Sequence, residues 1–479
     1  MTVRRVVCAF ALAPLVLAGL AAPSGSAPGK AVPTAIDARA DSGWAQLNTK
    51  GISLLAKSDL LRTSDGVLHV VYPQEVGPLD VEYEHTSVST TGGVISHSTA
   101  VSGWGTLTDD PILLPAAGGG MQIIFGGLQD TNVANPYSAG HTYRAVGDAS
   151  GASWTVPGEA LTKSKTGYAS YGTGATLLPD GTSIQGHPLN SEFTWRVGTT
   201  PLPTSDATPA DSSFSVAGGG LKHFTLVQSG GNVWAAWYDQ GTDNGYFARQ
   251  IHPALGPVLK APGQTADTLD PGQAVPMVVR PDGSIVMAYC IGYPTCTSVG
   301  LWPVGTSTVY KVPGSGGAET ITMDTGPTGR LWVAWADGDD VIAARSSTTG
   351  FSFGAQRRSA KPDPNLPIFQ LRVEASRGEA SLVANDGAGI YHRQLQAGLV
   401  VKASTKRWDG DQRKTVTFKV TDAAQPVSGA KVLGGGESCK TNAQGKCSIT
   451  FAERRPGKIK MKAKRSGFSP ALVTLTVKP

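Results

Sequence analysis

A glycine-containing turn followed at once by an apolar or aromatic run recurs seven times along this chain. The opening glycines are Gly66, Gly120, Gly181, Gly231, Gly283, Gly329 and Gly378, with successive spacings of 54, 61, 50, 52, 46 and 49 residues. A repeat of roughly 40 to 50 residues that contains only strand and turn signals is typical of a β-propeller, whose four-stranded sheets surround a channel. The sequence therefore predicts an all-β fold with seven blades, or six if the weak third copy is irregular.

The sixth copy shows how strands are expected to follow one another within a blade. Alternating apolar and polar residues predict strands at 318–323, 331–335 and 341–345, and a fourth at 351–356. Residues 44–48 form one more candidate strand, which would close the ring by joining the last blade. Between residues 42 and 479, no stretch of twelve residues has helical periodicity.

The two ends of the chain differ in character from the repeats. Two arginines, an apolar run at 6–20 and small residues follow in the order of a secretory signal peptide, predicted at 1–27, with a flexible linker at 28–43. No later run is long and apolar enough to span a bilayer. We therefore expect a secreted or extracellular monomer without a transmembrane segment.

Cysteine spacing agrees with export. With Cys8 in the signal peptide, four cysteines remain as two close pairs, Cys290 with Cys296 and Cys439 with Cys447. An even number of paired cysteines in an exported chain predicts two disulfides. The spacings do not match zinc sites, so no metal site is assigned to them.

Two turns resemble the Asp-box hairpin of sialidase-like propellers. In the segments 346–353 and 151–154, a glycine precedes an aromatic residue by three positions, as in that family. Thr348 and Ala149 stand where the family has its aspartate. With the repeat organisation, the resemblance implies a sialidase-like propeller over 44–400. The family's Arg-Ile-Pro segment is absent, so no catalytic residue is transferred to this chain.

Acidic residues follow several second strands, in loops that gather around the channel of a propeller. Candidates for a ligand site are Asp130, Asp239, Asp243, Asp337 and Asp386, together with Tyr293 inside the loop between Cys290 and Cys296. Asp before Gly also suits simple hairpin turns. A carbohydrate site or a calcium site is the sharper alternative, because oxygen ligands suit a hard cation. No cofactor is otherwise expected.

Basic and aromatic residues recur without a recognisable catalytic pattern. Third strands carry Arg144, Arg196, Arg249, Arg345 and Arg393, which favours a structural role over a ring that binds anions. The eight histidines occur singly, and hydrolase motifs such as Gly-x-Ser-x-Gly are absent.

The segment 401–479 resembles bacterial immunoglobulin-like and carboxypeptidase-regulatory-like sandwich domains. It shares with them a Gly-Ala strand, a Thr-x-x-x-Gly hairpin and a Pro-Gly turn. From residue 402 onward, 17 Lys and Arg face 5 Asp and Glu, a net charge of 17 − 5 = +12, whereas the whole chain carries +5. Such a basic domain suggests attraction to an anionic surface.

The leading interpretation is a secreted or cell-surface binding or adhesion protein. Its propeller would present a ligand face, and its basic domain would contact an anionic surface such as an extracellular glycan or cell-wall polymer. Few aromatic residues lie among the lysines, so nucleic acid is not the expected partner. A divergent glycoside hydrolase or lyase of sialidase-like fold is the alternative, although an enzyme is not favoured.

Overall fold

The fold is known from a computed structural model that describes most of the chain after residue 42. The described residues are 43–52, 57–77, 80–104, 106–107, 110–128, 141–156, 162–163, 173–189, 192–198, 212–215, 221–239, 244–263, 273–293, 295–348 and 350–479. The predicted signal peptide at 1–27 and nearly all of the linker lie outside them. Within these ranges the protein is all-β, with one 3-10 turn at Ala117–Gly119.

Up to residue 395, the described residues form seven antiparallel sheets, one for each sequence repeat. The first strand, β1, is Ala45–Gln46. Blade 1 contains β2 (Asp59–Arg62), β3 (Leu68–Gly77), β4 (Asp80–Val88) and β5 (Val94–Val101). Blade 2 contains β6 (Thr106–Leu107), β7 (Ile112–Pro115), β8 (Met121–Leu128), β9 (His141–Gly147), β10 (Trp154–Thr155) and β11 (Thr162–Lys163). Its two edge positions are each divided into two short strands.

Blades 3 to 6 each contain four consecutive strands. Blade 3 contains β12 (Gly174–Leu177), β13 (Ser183–Leu189), β14 (Glu192–Val197) and β15 (Ser212–Ser215). Blade 4 contains β16 (Leu221–Ser229), β17 (Asn232–Asp239), β18 (Gly245–His252) and β19 (Val258–Lys260). Blade 5 contains β20 (Met277–Val279), β21 (Ile285–Ile291), β22 (Ser298–Pro303) and β23 (Tyr310–Lys311). Blade 6 contains β24 (Ile321–Thr325), β25 (Leu331–Asp337), β26 (Asp340–Arg345) and β27 (Arg357–Ala360).

Blade 7 is completed by the strand that begins the described chain. Its own strands are β28 (Gln370–Glu374), β29 (Ala380–Asn385) and β30 (Ile390–Leu395), and β1 pairs with β30 as the fourth. Ala45 lies opposite His392, and Gln46 lies opposite Tyr391. First strands of neighbouring blades touch all the way round, including β28 against β2. The propeller prediction and the closing strand at 44–48 are confirmed.

Side chains of the first strands also join neighbouring blades by hydrogen bonds to the backbone. Asp59 accepts from the N–H of Leu113 (2.8 Å), Asp110 from Thr173 (2.6 Å) and Gln370 from Ser58 (2.6 Å). Large aromatic residues such as Trp237 and Trp335 are fully buried in the blades. Each blade therefore buries apolar surface while polar links fix the order of the ring.

The fourth strand of blade 6 is the one predicted strand that the structure places elsewhere. Residues 351–356 contribute two isolated bridges, Phe353 opposite Ser346 and Ala355 opposite Gly398, and the fourth strand is Arg357–Ala360. Phe351 stacks on Tyr310 of blade 5 with ring centroids 4.1 Å apart. The aromatic pattern that suggested a strand therefore reflects packing between blades.

A second β unit follows the propeller. Its strands are β31 (Ala397–Gly398), β32 (Val400–Ala403), β33 (Arg407–Asp409), β34 (Lys414–Asp422), β35 (Gln425–Pro426), β36 (Lys431–Gly434), β37 (Glu437–Lys440), β38 (Lys446–Phe451), β39 (Gly457–Lys464), β40 (Phe468–Ser469) and β41 (Ala471–Lys478). One sheet is built on β34, and a five-stranded sheet has the order β33-β41-β39-β36-β37. Residues of both sheets, such as Phe418 and Met461, share one core. The predicted small sandwich is confirmed in this form.

An ion-pair cluster fastens this C-terminal unit to blade 6. Asp422 accepts from Arg345 at 2.6 Å and from Arg330 at 3.0 Å, and its side chain is only 2% exposed. Gln425 accepts from the N–H of Thr348 at 3.2 Å and donates to its hydroxyl at 2.7 Å. Thr348, at the position of the missing Asp-box aspartate, is thus part of the contact between the two β units.

Candidate functional site

The structure places the predicted loop acids on separate blades. Asp239 ends β17 and is buried, whereas Asp337 ends β25 and lies 3.9 Å from the guanidinium of Arg358. Asp386 follows β29 and is buried. Asp130 and Asp243 lie outside the described residues. Their shared ligand site stays a prediction.

Asp386 has the most distinctive surroundings of these acids. One carboxylate oxygen accepts from the N–H groups of Ala388 (3.0 Å) and Gly389 (2.9 Å), while Oδ2 has no hydrogen-bond partner among the described residues. Burial raises the pKa of Asp386, and the charge of Asp363 adds to that rise. Asp363 lies in the loop before β28, and the sequence reasoning did not single it out.

Both predicted disulfides are present. Cys290 and Cys296 tie the loop after β21, and Tyr293 inside it is 69% exposed. Cys439 on β37 is bonded to Cys447 on β38, so this bridge connects the two sheets of the C-terminal unit. Exposure makes Tyr293 available for contacts, and its role in recognition stays a prediction.

Three of the five third-strand arginines lie over aromatic rings. Arg345 lies over Trp332 and Phe468, with its guanidinium carbon 5.8 and 5.2 Å from the ring centroids. The distances are 5.4 Å for Arg249 over Phe214 and 6.0 Å for Arg393 over Trp44. These contacts support the structural interpretation, in which the arginine stem and head cover a ring at the sheet edge.

Two carboxyl groups on blade 1 lie side by side, a pair that the sequence reasoning missed. Glu82 and Glu84 are two residues apart on β4 and therefore lie on the same face of the sheet. Lys50 binds Glu82 at 2.5 Å, and Gln74 donates to it at 3.1 Å. Burial raises the pKa of Glu84, which therefore holds a proton more readily than Glu82 does. Strand alternation alone could have signalled this pair.

Two histidines that are distant in sequence form a buried chain in blade 1. Nδ1 of His69 lies 2.9 Å from Nε2 of His85, whose Nδ1 lies 3.1 Å from Oγ of Ser98. Ser98 in turn donates to the carbonyl of Gly151 in blade 2. Burial lowers the pKa of His85 to about 3, so the ring is neutral at ordinary pH.

The Asp-box-like turn of blade 2 is held by a carboxylate one position before the expected one. Asp148 accepts from the N–H groups of Ser150 (2.8 Å), Ala152 (3.2 Å) and Ser153 (3.1 Å). The sequence reasoning looked for this group at Ala149 and missed it. The contacts are those of a turn, and they carry no information about activity.

An open surface cavity of about 460 Å³ lies where the first strands of blades 4 to 7 end. Val227, Met277, Val279 and Pro327 are among its apolar lining residues. Asp324 is the acidic residue in that lining, and burial raises its pKa to about 7. No sequence motif points to this cavity, because its walls come from repeats about 50 residues apart.

A strongly basic surface is formed by the outer side of the five-stranded C-terminal sheet. On β39 every second residue is an exposed lysine, and two lysines of β36 and β37 lie beside them. This lysine face comprises Lys431, Lys440, Lys458, Lys460, Lys462 and Lys464. No ion pair engages any of the six among the described residues.

Register brings three of these lysines into one row across the sheet. Lys431 lies between Lys464 on one side and Lys440 on the other. Directly opposed Cβ atoms are about 5 Å apart, and neighbours along β39 are about 7 Å apart. Thr474, Thr476 and Leu472 face the remaining lysines, and Leu472 is 67% exposed. The face is cationic, and no acidic side chain stands among these paired positions.

The described residues contain neither a cluster of metal-binding side chains nor a helix that could span a membrane. Within the part of the chain that the structure describes, no three His, Cys, Asp or Glu side chains converge in a way that would hold a metal ion. No helix in the described ranges is long and apolar enough to cross a membrane.

No family model and no curated protein matches this chain. Solved structures align with it at low identity, and the three that follow have TM-scores below 0.5. A Dyadobacter fermentans protein of unknown function gives a TM-score of 0.42 at 10% identity, covering 75% of this chain and 99% of that one. Penicillium chrysogenum alpha-L-arabinanase gives 0.41 at 10%, covering 76% and 98%. Aleuria aurantia lectin gives 0.37 at 12%, covering 72% and 93%. At this level of similarity nothing about function is transferred.

Proposed function

We propose that this protein is an extracellular binding protein that attaches through the lysine face to an anionic polymer. The propeller, fastened rigidly to the C-terminal unit at Asp422, would present its loop face to a second ligand. The proposal keeps the sialidase-like and immunoglobulin-like resemblances as descriptions of the two β units. It includes export, which the two disulfides support.

The observation that carries the proposal is the row formed by Lys464, Lys431 and Lys440. Like charges directly opposite one another on a sheet repel and destabilise it. A polyanion laid across the face would relieve this repulsion and gain attraction from all six lysines. The six lysines are exposed to solvent, so added salt should weaken the attraction. Salt screens exposed charges, and the Debye length is about 8 Å at physiological ionic strength.

The chemistry of the face favours an anionic polymer over single-stranded nucleic acid. Besides the lysines, its outward residues include Thr474, Thr476, Leu472 and Leu433, none of which is aromatic. Binding of single strands depends on aromatic rings on which bases stack. A polymer of repeated negative groups needs only a flat array of cations.

The glycoside hydrolase stays the alternative, and the arginine contacts weigh against it. A hydrolytic site built from the loop acids would need third-strand arginines facing the same ligand. Arg249, Arg345 and Arg393 instead lie over aromatic rings.

Binding of the exported chain to beads that carry linear polyphosphate tests the proposal. Lys→Gln at Lys458, Lys460, Lys462 and Lys464 removes four charges from the lysine face. A lysine near an anionic surface contributes about 1 kcal/mol, so binding should weaken by at least about a hundredfold.

A matched control removes four positive charges from another part of the C-terminal unit. Lys402, Arg413, Lys419 and Lys446 are exposed and lie on or beside the other sheet. Their replacement by Gln should weaken binding far less. Equal losses in both variants would mean that net charge alone governs binding. Binding to anionic vesicles but not to polyphosphate would replace the polymer by a membrane.

A further inference from the structure

The cavity of about 460 Å³ is lined by one acid, Asp324, whose charge the fold does not need. Asp324 accepts from the N–H of Ala375 at 2.7 Å and so joins blade 6 to blade 7. The same kind of link, from blade 7 to blade 1, is made by the neutral amide of Gln370 with the N–H of Ser58 at 2.6 Å. An asparagine at 324 would provide the same acceptor.

Asp324 also differs from the other first-strand acids in lacking a cationic partner. Asp59 lies 3.3 Å from Arg372, and Asp110 lies 3.5 Å from Lys57. Among the described residues, no lysine or arginine forms an ion pair with Asp324. Arg280 also lines the cavity, but its guanidinium donates to the carbonyls of Gly329 and Thr348 and lies 3.5 Å from Asp282. Glu374, the nearest other acid, is already paired with Arg62 at 2.5 Å.

Ionised Asp324 therefore destabilises the folded protein near neutral pH. Burial raises its pKa from the ordinary value to about 7, with a smaller contribution from Glu374. Because the folded chain holds the proton more tightly than the unfolded chain, stability decreases as pH rises through this range. Acids that lower stability while facing a cavity are typical of binding sites.

We propose that this cavity binds a small organic cation, with the carboxylate of Asp324 as the counter-ion of an ammonium group. The apolar side chains of Val227, Met277 and Val279 would cover the hydrocarbon part of such a ligand. The hydroxyl of Ser376 at the rim offers one further acceptor. A metal ion fits less well, because Ca²⁺ takes six to eight oxygen ligands, and the described residues supply no such group.

Titration of the full chain with cyclohexylammonium and with neutral cyclohexanol at pH 8 tests this site. We expect the wild type to bind the ammonium probe at least about tenfold more tightly than the alcohol, the equivalent of one modest ion pair. Asp324→Asn should remove this preference and leave cyclohexanol binding unchanged. Affinity of the wild type for the ammonium probe should rise between pH 6 and pH 8.

Asp180→Asn is the matched control, since Asp180 is an exposed acid in the turn between β12 and β13 and does not line the cavity. It should leave ammonium binding unchanged. Absence of saturable binding by the wild type, equal affinity in Asp324→Asn, or an equal loss in Asp180→Asn would each overturn the proposal. Thermal melting at pH 8 provides a second readout. Asp324→Asn should melt higher than the wild type, and an unfolded variant would show that the carboxylate is required by the fold. None of these results depends on the lysine face.

Discussion

Replacement of Gly151 by alanine tests the contact between blades 1 and 2 at a single atom. Gly151 has φ of +71°, and a Cβ built on it would lie 2.2 Å from Cε1 of His85 and 2.6 Å from its Nδ1. The imidazole cannot move aside without breaking its hydrogen bonds to His69 and Ser98. Gly103 provides a matched control, with φ of +72° and nothing within 4 Å of its Cβ position.

The two variants separate backbone strain from steric overlap. A left-handed conformation costs about 1 to 2 kcal/mol for a residue with a Cβ, which applies equally to both positions. Overpacking a filled interior adds about 1 to 3 kcal/mol, which applies only at Gly151. We therefore expect Gly151→Ala to lower the free energy of unfolding by about 2 to 5 kcal/mol, and Gly103→Ala by about 1 to 2 kcal/mol.

Urea unfolding followed by tryptophan fluorescence measures both variants against the wild type. The midpoint should fall for each, with an unchanged slope, and it should fall further for Gly151→Ala. Equal midpoints for the two alanine variants would refute the close approach of Gly151 to His85. The packing of blade 2 on blade 1 would then differ from the arrangement described above.

Three further perturbations follow from buried charges and cross-links. Asp422→Asn should lower the free energy of unfolding in urea by about 3 to 5 kcal/mol, because two arginines lose their buried partner. The exposed Asp409→Asn should change it little. Similar losses in the two variants would contradict the contact between Asp422 and blade 6. Burial lowers the pKa of His392 to about 4 and that of His85 to about 3. The unfolded chain therefore binds these protons first, so the two rings should lower stability as pH falls from 6.5 to 4, whereas the raised pKa of Asp324 acts in the opposite direction. His392→Gln should therefore lose less stability than the wild type over this range in urea unfolding, and equal losses would oppose this. Replacing both Cys439 and Cys447 by serine should lower the free energy of unfolding by about 2 to 3 kcal/mol, because the unfolded chain gains the entropy of the opened loop. An unchanged melting curve of the C-terminal unit would argue against the bridge.

Much of the propeller was predictable because its signals are local. Gly329 and its counterparts lie in the turns between first and second strands. The apolar runs that follow these glycines form the buried second strands. The prediction failed at 351–356 because Phe351 packs on Tyr310 of the neighbouring blade instead of extending a sheet. A single blade's sequence does not contain that contact.

The candidate sites depend more strongly on long-range arrangement. Net charge identified the C-terminal unit as basic, but only the register of β36 between β37 and β39 places Lys440, Lys431 and Lys464 in one row. The cavity beside Asp324 requires the ends of several blades to meet, and no local pattern encodes that meeting. The buried pair of His69 and His85 likewise arises from pairing of β3 with β4.

A cross-link between the two ends of the ring tests the central claim most directly. Gln46 and Tyr391 lie opposite each other across β1 and β30, although 345 residues separate them. Cysteines at both positions should oxidise to an intramolecular disulfide, detected by mass spectrometry of the digested monomer. Cysteines at Gln46 and at Lys311 of blade 5 should not. A closed seven-bladed ring predicts the first cross-link within one chain; its absence, or its formation only between chains, would contradict closure by the N-terminal strand.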